Sequence, residues 1–386
     1  MKDEDIRDIF EILREKSKED IIKNCKKETI SKFKEINIFS DIIDKNGNIT
    51  SKKLEEKNGD ISNKELLTRY LYVSCVLDQG GDLEGQRLLL NYVTNELYKR
   101  DIKFLHKPQD FFDNPLIISQ VIREQHSIVK SKRKDEWAKE INPDNPRPNS
   151  YSLFRIQRTP SSQLTPYVLF KWGVPLMNIM KIQEKFGSLF NYVSSFRNPQ
   201  DAVDKIRTDK EFGLGRAIGW KADFLFIKYI IHVFELISKK GWTKNSFEVP
   251  FDSNIGRVLF RIGYVDYFLD EKEKNKTLRE RKEGIHLEAN ELRNKKIKEE
   301  INPSTSKIYQ DLKEIVLPID APKTKPGFQF TINWFLENIG DTDLTIGSFD
   351  DSLMYIGTKF CKNKSPDCEN CPLNSKCSKL INIRTD

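Results

Sequence analysis

Four cysteines close to the C-terminus have the residue type and the spacing of a metal-binding segment. Cys361, Cys368, Cys371 and Cys377 follow one another as C-x6-C-x2-C-x5-C. Thiolates are soft ligands that suit either zinc or an iron–sulfur cluster, and four of them in one short segment can surround a single centre. The segment lacks the two CxxC or HxxxH pairs of a usual zinc site, and its spacing differs from that of ferredoxins. The residues alone therefore predict a thiolate metal site and leave the metal open.

A glycine-rich stretch further upstream has the composition of a tight hairpin. Three glycines fall within seven residues in Gly213-Leu-Gly215-Arg-Ala-Ile-Gly219, and the apolar run after them predicts a helix to about Ile237. Such a hairpin presents unpaired backbone N–H groups at a helix N-terminus, where the helix dipole also favours an anion. The stretch is a candidate phosphate-binding element.

The cysteine spacing matches, residue for residue, the [4Fe-4S] loop of the endonuclease III and adenine-glycosylase branch of the helix–hairpin–helix (HhH-GPD) DNA glycosylases. Leu353-Met-Tyr-Ile-Gly357 before the first cysteine and Cys371-Pro-Leu373 inside the loop also resemble that branch. The resemblance implies a [4Fe-4S] cluster held by the four cysteines. A zinc knuckle, disulfides and a chance arrangement are the alternatives.

The glycine stretch resembles the hairpin of the same superfamily, in one of two registers. If Gly213 and Gly215 are the hairpin glycines, Ala217 takes the place of the lysine found in lyase-active members. If Gly219 belongs to the hairpin, that place falls on Lys221. The second register is favoured because the first would put Gly219 and Trp220 in mid-helix, against their propensity.

The segment Val249-Pro-Phe-Asp252 resembles the one that carries the obligatory aspartate of the superfamily. Asp252 follows Lys221 at a spacing similar to that in archaeal 8-oxoguanine (GO) glycosylases, a branch that typically lacks the cluster. The chain thus combines features of two branches. The structural alternatives are a solvated lysine at a helix start for Lys221 and a helix N-cap for Asp252.

The resemblance implies excision of a damaged or modified base from double-stranded DNA. A carboxylate such as Asp252 can stabilise the developing oxocarbenium charge, and the amine of Lys221 can attack the anomeric carbon, so that a Schiff base permits β-elimination. The expected activity is that of a DNA N-glycosylase with AP-lyase activity. The alternatives are a monofunctional glycosylase that uses Asp252 only, a non-catalytic DNA-binding iron–sulfur module, and a nuclease or lyase of another kind. The base stays open, with 8-oxoguanine suggested by the hairpin and the spacing.

Further residues are expected to contact DNA. Gln79 follows an apolar helix where the superfamily often inserts glutamine into the base stack, although a simple turn residue would also fit. The complete set of expected DNA contacts is Gln79, Gly213, Gly215, Arg216, Gly219, Arg257, Lys362 and Lys364.

Composition and charge agree with a soluble DNA-binding protein. The chain has 386 residues, 38% of them hydrophobic and 32% charged, and a formal net charge of +7. A basic excess favours a polyanionic partner, because cations that neutralise phosphates release counterions. With no apolar run long enough to span a membrane and a charged N-terminus, we expect a cytoplasmic monomer with reduced thiols.

The helical periodicity and the resemblance together predict an all-α, two-lobed fold. Residues 1–63 are expected to be a helical extension that packs on the cluster lobe. Residues 64–250 should form a helical bundle, with a helix pair at 64–100 and the helix–hairpin–helix at about 205–237. Residues 101–165 are rich in proline and basic residues and are expected to be a surface insertion or a DNA-backbone loop. Residues 251–386 should contain the aspartate, a charged insertion at 266–326 and the cluster lobe.

Overall fold

The computed structural model describes residues 3–44, 46–77, 83–140, 161–214, 218, 220–244, 249–250, 253–263, 345–362 and 366–379. Within these ranges the chain is mainly helical, which confirms the all-α prediction, and strand is limited to one short hairpin. In that hairpin β1 (Lys57–Asn58) pairs antiparallel with β2 (Ile61–Ser62). No helix in these ranges is long and apolar enough to cross a membrane.

The helices follow one another as α1 (Asp3–Lys18), α2 (Asp20–Phe33), α3 (Ser51–Glu55), α4 (Asn63–Leu77), α5 (Leu83–Lys99), α6 (Gln109–Asp113), α7 (Pro115–Glu140), α8 (Ser161–Phe186), α9 (Leu189–Ser195), α10 (Pro199–Thr208), α11 (Trp220–Lys228), α12 (Ser253–Arg261) and α13 (Ile346–Lys359). A 3-10 turn spans Asn37–Phe39, and a π-helical segment, Tyr229–Val233, directly follows α11.

The chain divides into two compact units. The terminal unit joins residues 1–24 to residues 247–386, and the central unit comprises residues 25–246. Residues 25–63 of the N-terminal extension group with the central unit. The reason is aromatic packing, since the rings of Phe33 and Phe39 lie 5.3 and 5.4 Å from the ring of Tyr70 in α4.

Helices α1 and α12 both pack against α13 in the terminal unit. The ring of Phe10 in α1 stacks on that of Phe349 in α13, with centroids 5.1 Å apart. Helices α12 and α13 approach so closely that a Cβ on Gly357 would lie 3.1 Å from the backbone oxygen of Asn254. The first and last segments of the chain are thereby held in one core.

The central unit is organised around a buried ion pair on α4. The Nε of Arg69 lies 2.5 Å from a carboxylate oxygen of Glu65, and both side chains are almost completely buried. The same carboxylate accepts the backbone N–H groups of Leu189 and Phe190 at the start of α9, where the helix dipole favours a negative charge. The guanidinium of Arg69 also donates to the carbonyl oxygens of Leu105 and His106. A buried charge needs such complete pairing.

The predicted helix pair at 64–100 is confirmed by α4 and α5. The expectation for residues 101–165 was wrong in part. Residues 109–140 form α6 and α7, and Ile118, Val121, Ile122 and Val129 of α7 are buried in the core. The basic stretch of this region, Lys130 to Lys134, belongs to helix α7 instead of a loop, and Lys130 and Lys132 are exposed.

Candidate functional site

The four C-terminal cysteines lie on a succession of tight turns after α13. The helix closes with the backbone N–H groups of Phe360 and Cys361 both donating to the carbonyl of Ile356. The N–H of Asp367 then donates to the carbonyl of Phe360, and the N–H of Cys371 to that of Cys368. These bonds hold the described part of the cysteine segment close to the end of α13.

All four cysteines line one pocket in the terminal unit. The pocket contains about 370 Å³ of empty space, part of it open to solvent. Its apolar wall comes from α12, α13 and the cysteine segment itself, with Val258, Ile262, Ile356, Phe360 and Leu373 as lining residues. A thiol-lined pocket with an apolar wall is suited to a centre that must be shielded from water.

The electrostatics of the thiols reflect this enclosure. Burial raises the pKa of the Cys377 thiol to about 11, the backbone N–H of Lys379 acts against the rise, and the neighbouring Cys361, Cys371 and Cys368 add to it. Burial likewise raises the pKa of Cys371, again with Cys361 and Cys368 contributing. Because ionised thiols repel one another, a bound cation would favour their thiolate forms.

Two arginines of α12 bind the cysteine segment to the helix. Arg257 donates from Nη2 to the carbonyl oxygen of Gly357 at 2.7 Å and from Nε to the carbonyl oxygen of Cys361. Arg261 donates from Nη1 to the carbonyl oxygen of Lys362 at 2.6 Å and approaches the sulfur of Cys361 at 3.5 Å. Arg257, an expected DNA contact, thus lies inside the unit with 3% of its surface exposed, where it supports the pocket.

The pocket has some, but not all, of the features of a metal site. All four cysteines are free thiols, so the disulfide alternative is not realised. Within the described ranges no group of three or more His, Cys, Asp or Glu residues is arranged to hold a metal ion. The site is therefore defined by four thiols that share one pocket.

The glycine stretch is described in part. Asp209, directly after α10, accepts the backbone N–H groups of Glu211 and Phe212 on its side chain, both at 2.9 Å. The N–H of Gly213 then donates to the carbonyl of Asp209, and a Cβ on Gly213 would lie only 2.3 Å from that oxygen. Glycine is required here for close backbone approach. Gly215, Arg216, Ala217 and Gly219 lie outside the described residues.

Helix α11 begins at Trp220. Lys221 is its second residue and is half-buried. The helical segment ends at Val233, earlier than the predicted Ile237, because α11 passes into the π-helical segment. Lys221 thus lies in the first turn of a helix, beside the glycine stretch.

Asp223, for which the sequence predicted no role, lies in the first turn of α11 and has an unusual environment. Its side chain is completely buried, and neither carboxylate oxygen has a hydrogen-bond partner among the described residues. Burial raises the pKa of this carboxyl well above its ordinary value, the charge of Arg207 partly opposes the rise, and Asp204 adds to it. The available signal in the sequence was an aspartate within an otherwise apolar run.

Of the other expected site residues, Lys362 is exposed and lies next to Cys361 in the chain. Gln79, Asp252 and Lys364 lie outside the described residues, although α12 begins at the residue after Asp252. Arg261 was not among the expected site residues. Its spacing of four from Arg257, which puts both on one helix face, was the available signal.

Comparison with known proteins gives no relative. No family model matches the chain, and no curated protein or solved structure is similar to it.

Proposed function

We propose that the protein is a DNA N-glycosylase with AP-lyase activity and a [4Fe-4S] cluster, acting on a damaged or modified base in double-stranded DNA. The observation that carries this proposal is the shared pocket of Cys361, Cys368, Cys371 and Cys377, whose spacing is that of the glycosylase cluster loop. The helical architecture and the basic net charge agree with the proposal.

The residues of the pocket fit the proposed group. Four thiolates are the usual ligand set of a [4Fe-4S] cluster, and the apolar wall would exclude water from it. When bound, the cluster would serve as a structural centre that shapes the backbone around Lys362 for contact with a DNA phosphate. Arg261, with its guanidinium near the sulfur of Cys361, would offset the negative charge of the thiolates.

Lys221 is the proposed nucleophile. Its amine would attack the anomeric carbon as the bond to the base breaks, and the Schiff base would then allow β-elimination of the strand. Its position in the first turn of α11, beside the close-packed turn at Gly213, would bring it near a phosphate bound by the glycine stretch.

Asp252 is the proposed carboxylate that stabilises the developing positive charge on the sugar. It immediately precedes α12, the helix whose two arginines bind the cysteine segment. An intact cysteine pocket would therefore steady the start of the helix next to Asp252. The cluster would support catalysis in this way without taking part in it.

Borohydride trapping tests the proposal. Purified protein is incubated with duplexes that contain 8-oxoguanine, thymine glycol, uracil or an abasic site, beside Lys221→Ala and the control Lys240→Ala, which removes an exposed lysine. We expect a covalent protein–DNA band that Lys221→Ala abolishes and Lys240→Ala retains. An unchanged band in Lys221→Ala would exclude this lysine as the nucleophile.

Asp252→Asn separates the remaining alternatives. Base release that collapses while duplex binding persists is expected for the glycosylase. Base release without trapping would indicate a monofunctional enzyme. Duplex binding with neither base release nor trapping, in the wild type as well, would indicate a DNA-binding module.

A further inference from the structure

A second pocket lies wholly within the central unit, among residues of α2, α4, α5 and α7 and the turn after α2. It contains about 700 Å³ of empty space, including the part open to solvent. None of its lining residues belongs to the cysteine segment or to the glycine stretch. Its function is therefore a separate question from the proposed base excision.

The rim of this pocket is positively charged. Lys32, Arg87 and Lys132 line it, against one carboxylate, that of Glu35. Two of the cations lie over aromatic rings, because the guanidinium of Arg87 is 5.3 Å from the ring centre of Tyr229 and Lys132 Nζ is 5.7 Å from that of Tyr92. Three cations and one anion around a concave surface attract an anionic ligand.

The floor of the pocket is aromatic and apolar. Phe33, Tyr70 and Leu88 line it and expose only 6%, 2% and 7% of their surfaces. The rings of Phe33 and Tyr70 meet edge-on at 5.3 Å, and Phe33 packs in turn on Phe234. Such a rigid floor offers a flat or apolar group a surface on which to pack.

Two buried polar side chains lie between the rim and the floor. Ser74 and Asn91 line the pocket and expose 7% and 6% of their surfaces. The hydroxyl of Tyr70 donates to Oδ1 of Asn91, which leaves the Nδ2 group of Asn91 as the hydrogen-bond donor of that side chain. The pocket therefore places this amide donor beside the cations, as recognition of an oxyanion requires.

We propose that this pocket binds a small ligand in which a phosphate-type anion is joined to a flat apolar group, of which a nucleoside monophosphate is the simplest representative. The anion lies against Arg87 and the two lysines, and the flat group lies on Phe33 and Leu88. The ligand is either a free nucleotide or a nucleotide of an unpaired DNA strand, since both present the same chemistry.

Isothermal titration of the full chain with inorganic phosphate and with dAMP tests the proposal. We expect saturable binding of both, with dAMP the tighter because only it reaches the aromatic floor. Arg87→Gln should weaken dAMP binding about tenfold or more through loss of a charged hydrogen bond. The matched control is Lys99→Gln, which removes one charge from an exposed position on the same helix and should leave binding unchanged.

The outcomes separate the proposal from its alternatives. Absence of saturable dAMP binding, or equal weakening by Arg87→Gln and Lys99→Gln, would overturn it. If Arg87→Gln proves unfolded by circular dichroism, the exposed Lys32→Gln and Lys132→Gln pair takes its place with the same expectation. Displacement of dAMP by a short single-stranded oligonucleotide identifies a DNA strand as the source of the ligand. If the oligonucleotide does not displace dAMP, the ligand is the free nucleotide. Because trapping through Lys221 uses other residues, a negative result here leaves the proposed glycosylase activity intact.

Discussion

The guanidinium of Arg261 lies 3.5 Å from the sulfur of Cys361, although the two residues are 100 positions apart in the chain. Arg257, one turn earlier on α12, donates to the carbonyl of the same cysteine. These bonds join the cysteine segment to the helix that starts directly after Asp252. A metal centre bound in the pocket would therefore also stabilise the position of the helix start next to Asp252, whatever reaction that carboxylate performs.

The first prediction concerns the metal. Replacing Cys361, Cys368, Cys371 or Cys377 singly by serine should remove the visible absorption of an iron–sulfur cluster from anaerobically purified protein, because a hydroxyl is a far poorer ligand than a thiolate. Iron and acid-labile sulfide are measured in parallel. Cys25→Ser, in the central unit, is the matched control and should retain both. Stoichiometric zinc with no iron in the wild type would contradict the cluster and support the zinc alternative.

The second prediction concerns the arginine that supports the pocket. Arg257→Met keeps the volume of the side chain but leaves the buried carbonyl oxygens of Gly357 and Cys361 without their charged donor. We expect a loss of about 3 kcal/mol in the free energy of unfolding, and loss of bound metal with it. The measurement is urea unfolding followed by circular dichroism.

The control for this variant is Arg100→Met. Arg100 is partly exposed and pairs with Glu96 and Glu124 at the surface, where such pairs contribute at most about 1 kcal/mol. Equal destabilisation by the two variants would show that Arg257 has no special structural role.

Local patterns in the sequence were enough to predict part of the fold. The break between α4 and α5 was predictable because glycines and aspartates interrupt an apolar periodicity there. A buried helix after Gly219 was predictable from the apolar run there, and Ala222, Phe224 and Phe226 of α11 are buried. The shared pocket of the four cysteines agrees with their short spacing, while a bound metal stays a prediction.

Features that depend on distant partners were not predictable. Residues 115–140 are as basic as a surface loop, and only the packing of α7 against α5 and α8 reveals their buried face. In the sequence, Glu65 and Arg69 are an ordinary i, i+4 ion pair of a helix. Their backbone hydrogen-bond partners, at the start of α9 and at Leu105, lie 36 or more positions away. The role of Arg257 likewise depends on a segment 100 residues further along. Periodicity within one helix carries no information about which remote backbone groups its charges will meet.

The third prediction concerns pH. The folded-state pKa of Asp223 is raised, mainly by burial. Below the unfolded-state pKa of about 3.9 the carboxyl is protonated in both states and has no effect on stability. As the pH rises above that value, the unfolded chain releases its proton while the folded chain retains it, so stability falls until the folded-state pKa is passed.

Asp223→Asn should abolish this contribution and increase stability near neutral pH, because an amide of similar shape carries no charge to bury. Urea midpoints of both proteins are compared between pH 4.5 and 7.5. The wild type should lose stability relative to the variant as the pH rises. Asp201→Asn serves as the control, since Asp201 is only half-buried in α10. A constant difference between wild type and Asp223→Asn across this range would contradict the buried, protonated state of the carboxyl.

The last prediction concerns the turn at Gly213. A Cβ at Gly213 would lie 2.3 Å from the carbonyl oxygen of Asp209 and 3.0 Å from that of Arg207. Because both neighbours are backbone atoms, Gly213→Ala must displace the turn that leads to α11 and Lys221. The expected result is a lower free energy of unfolding together with weaker trapping at an abasic site.

Gly173→Ala is the matched control for Gly213→Ala. The Cβ of an alanine at this position would meet only the rings of Phe111 and Phe112, at 3.7 and 3.8 Å. Since Gly173 lies inside α8, alanine there should preserve trapping and stabilise the helix by up to about 1 kcal/mol. Undiminished trapping by Gly213→Ala would mean that the geometry of this turn does not control the position of Lys221.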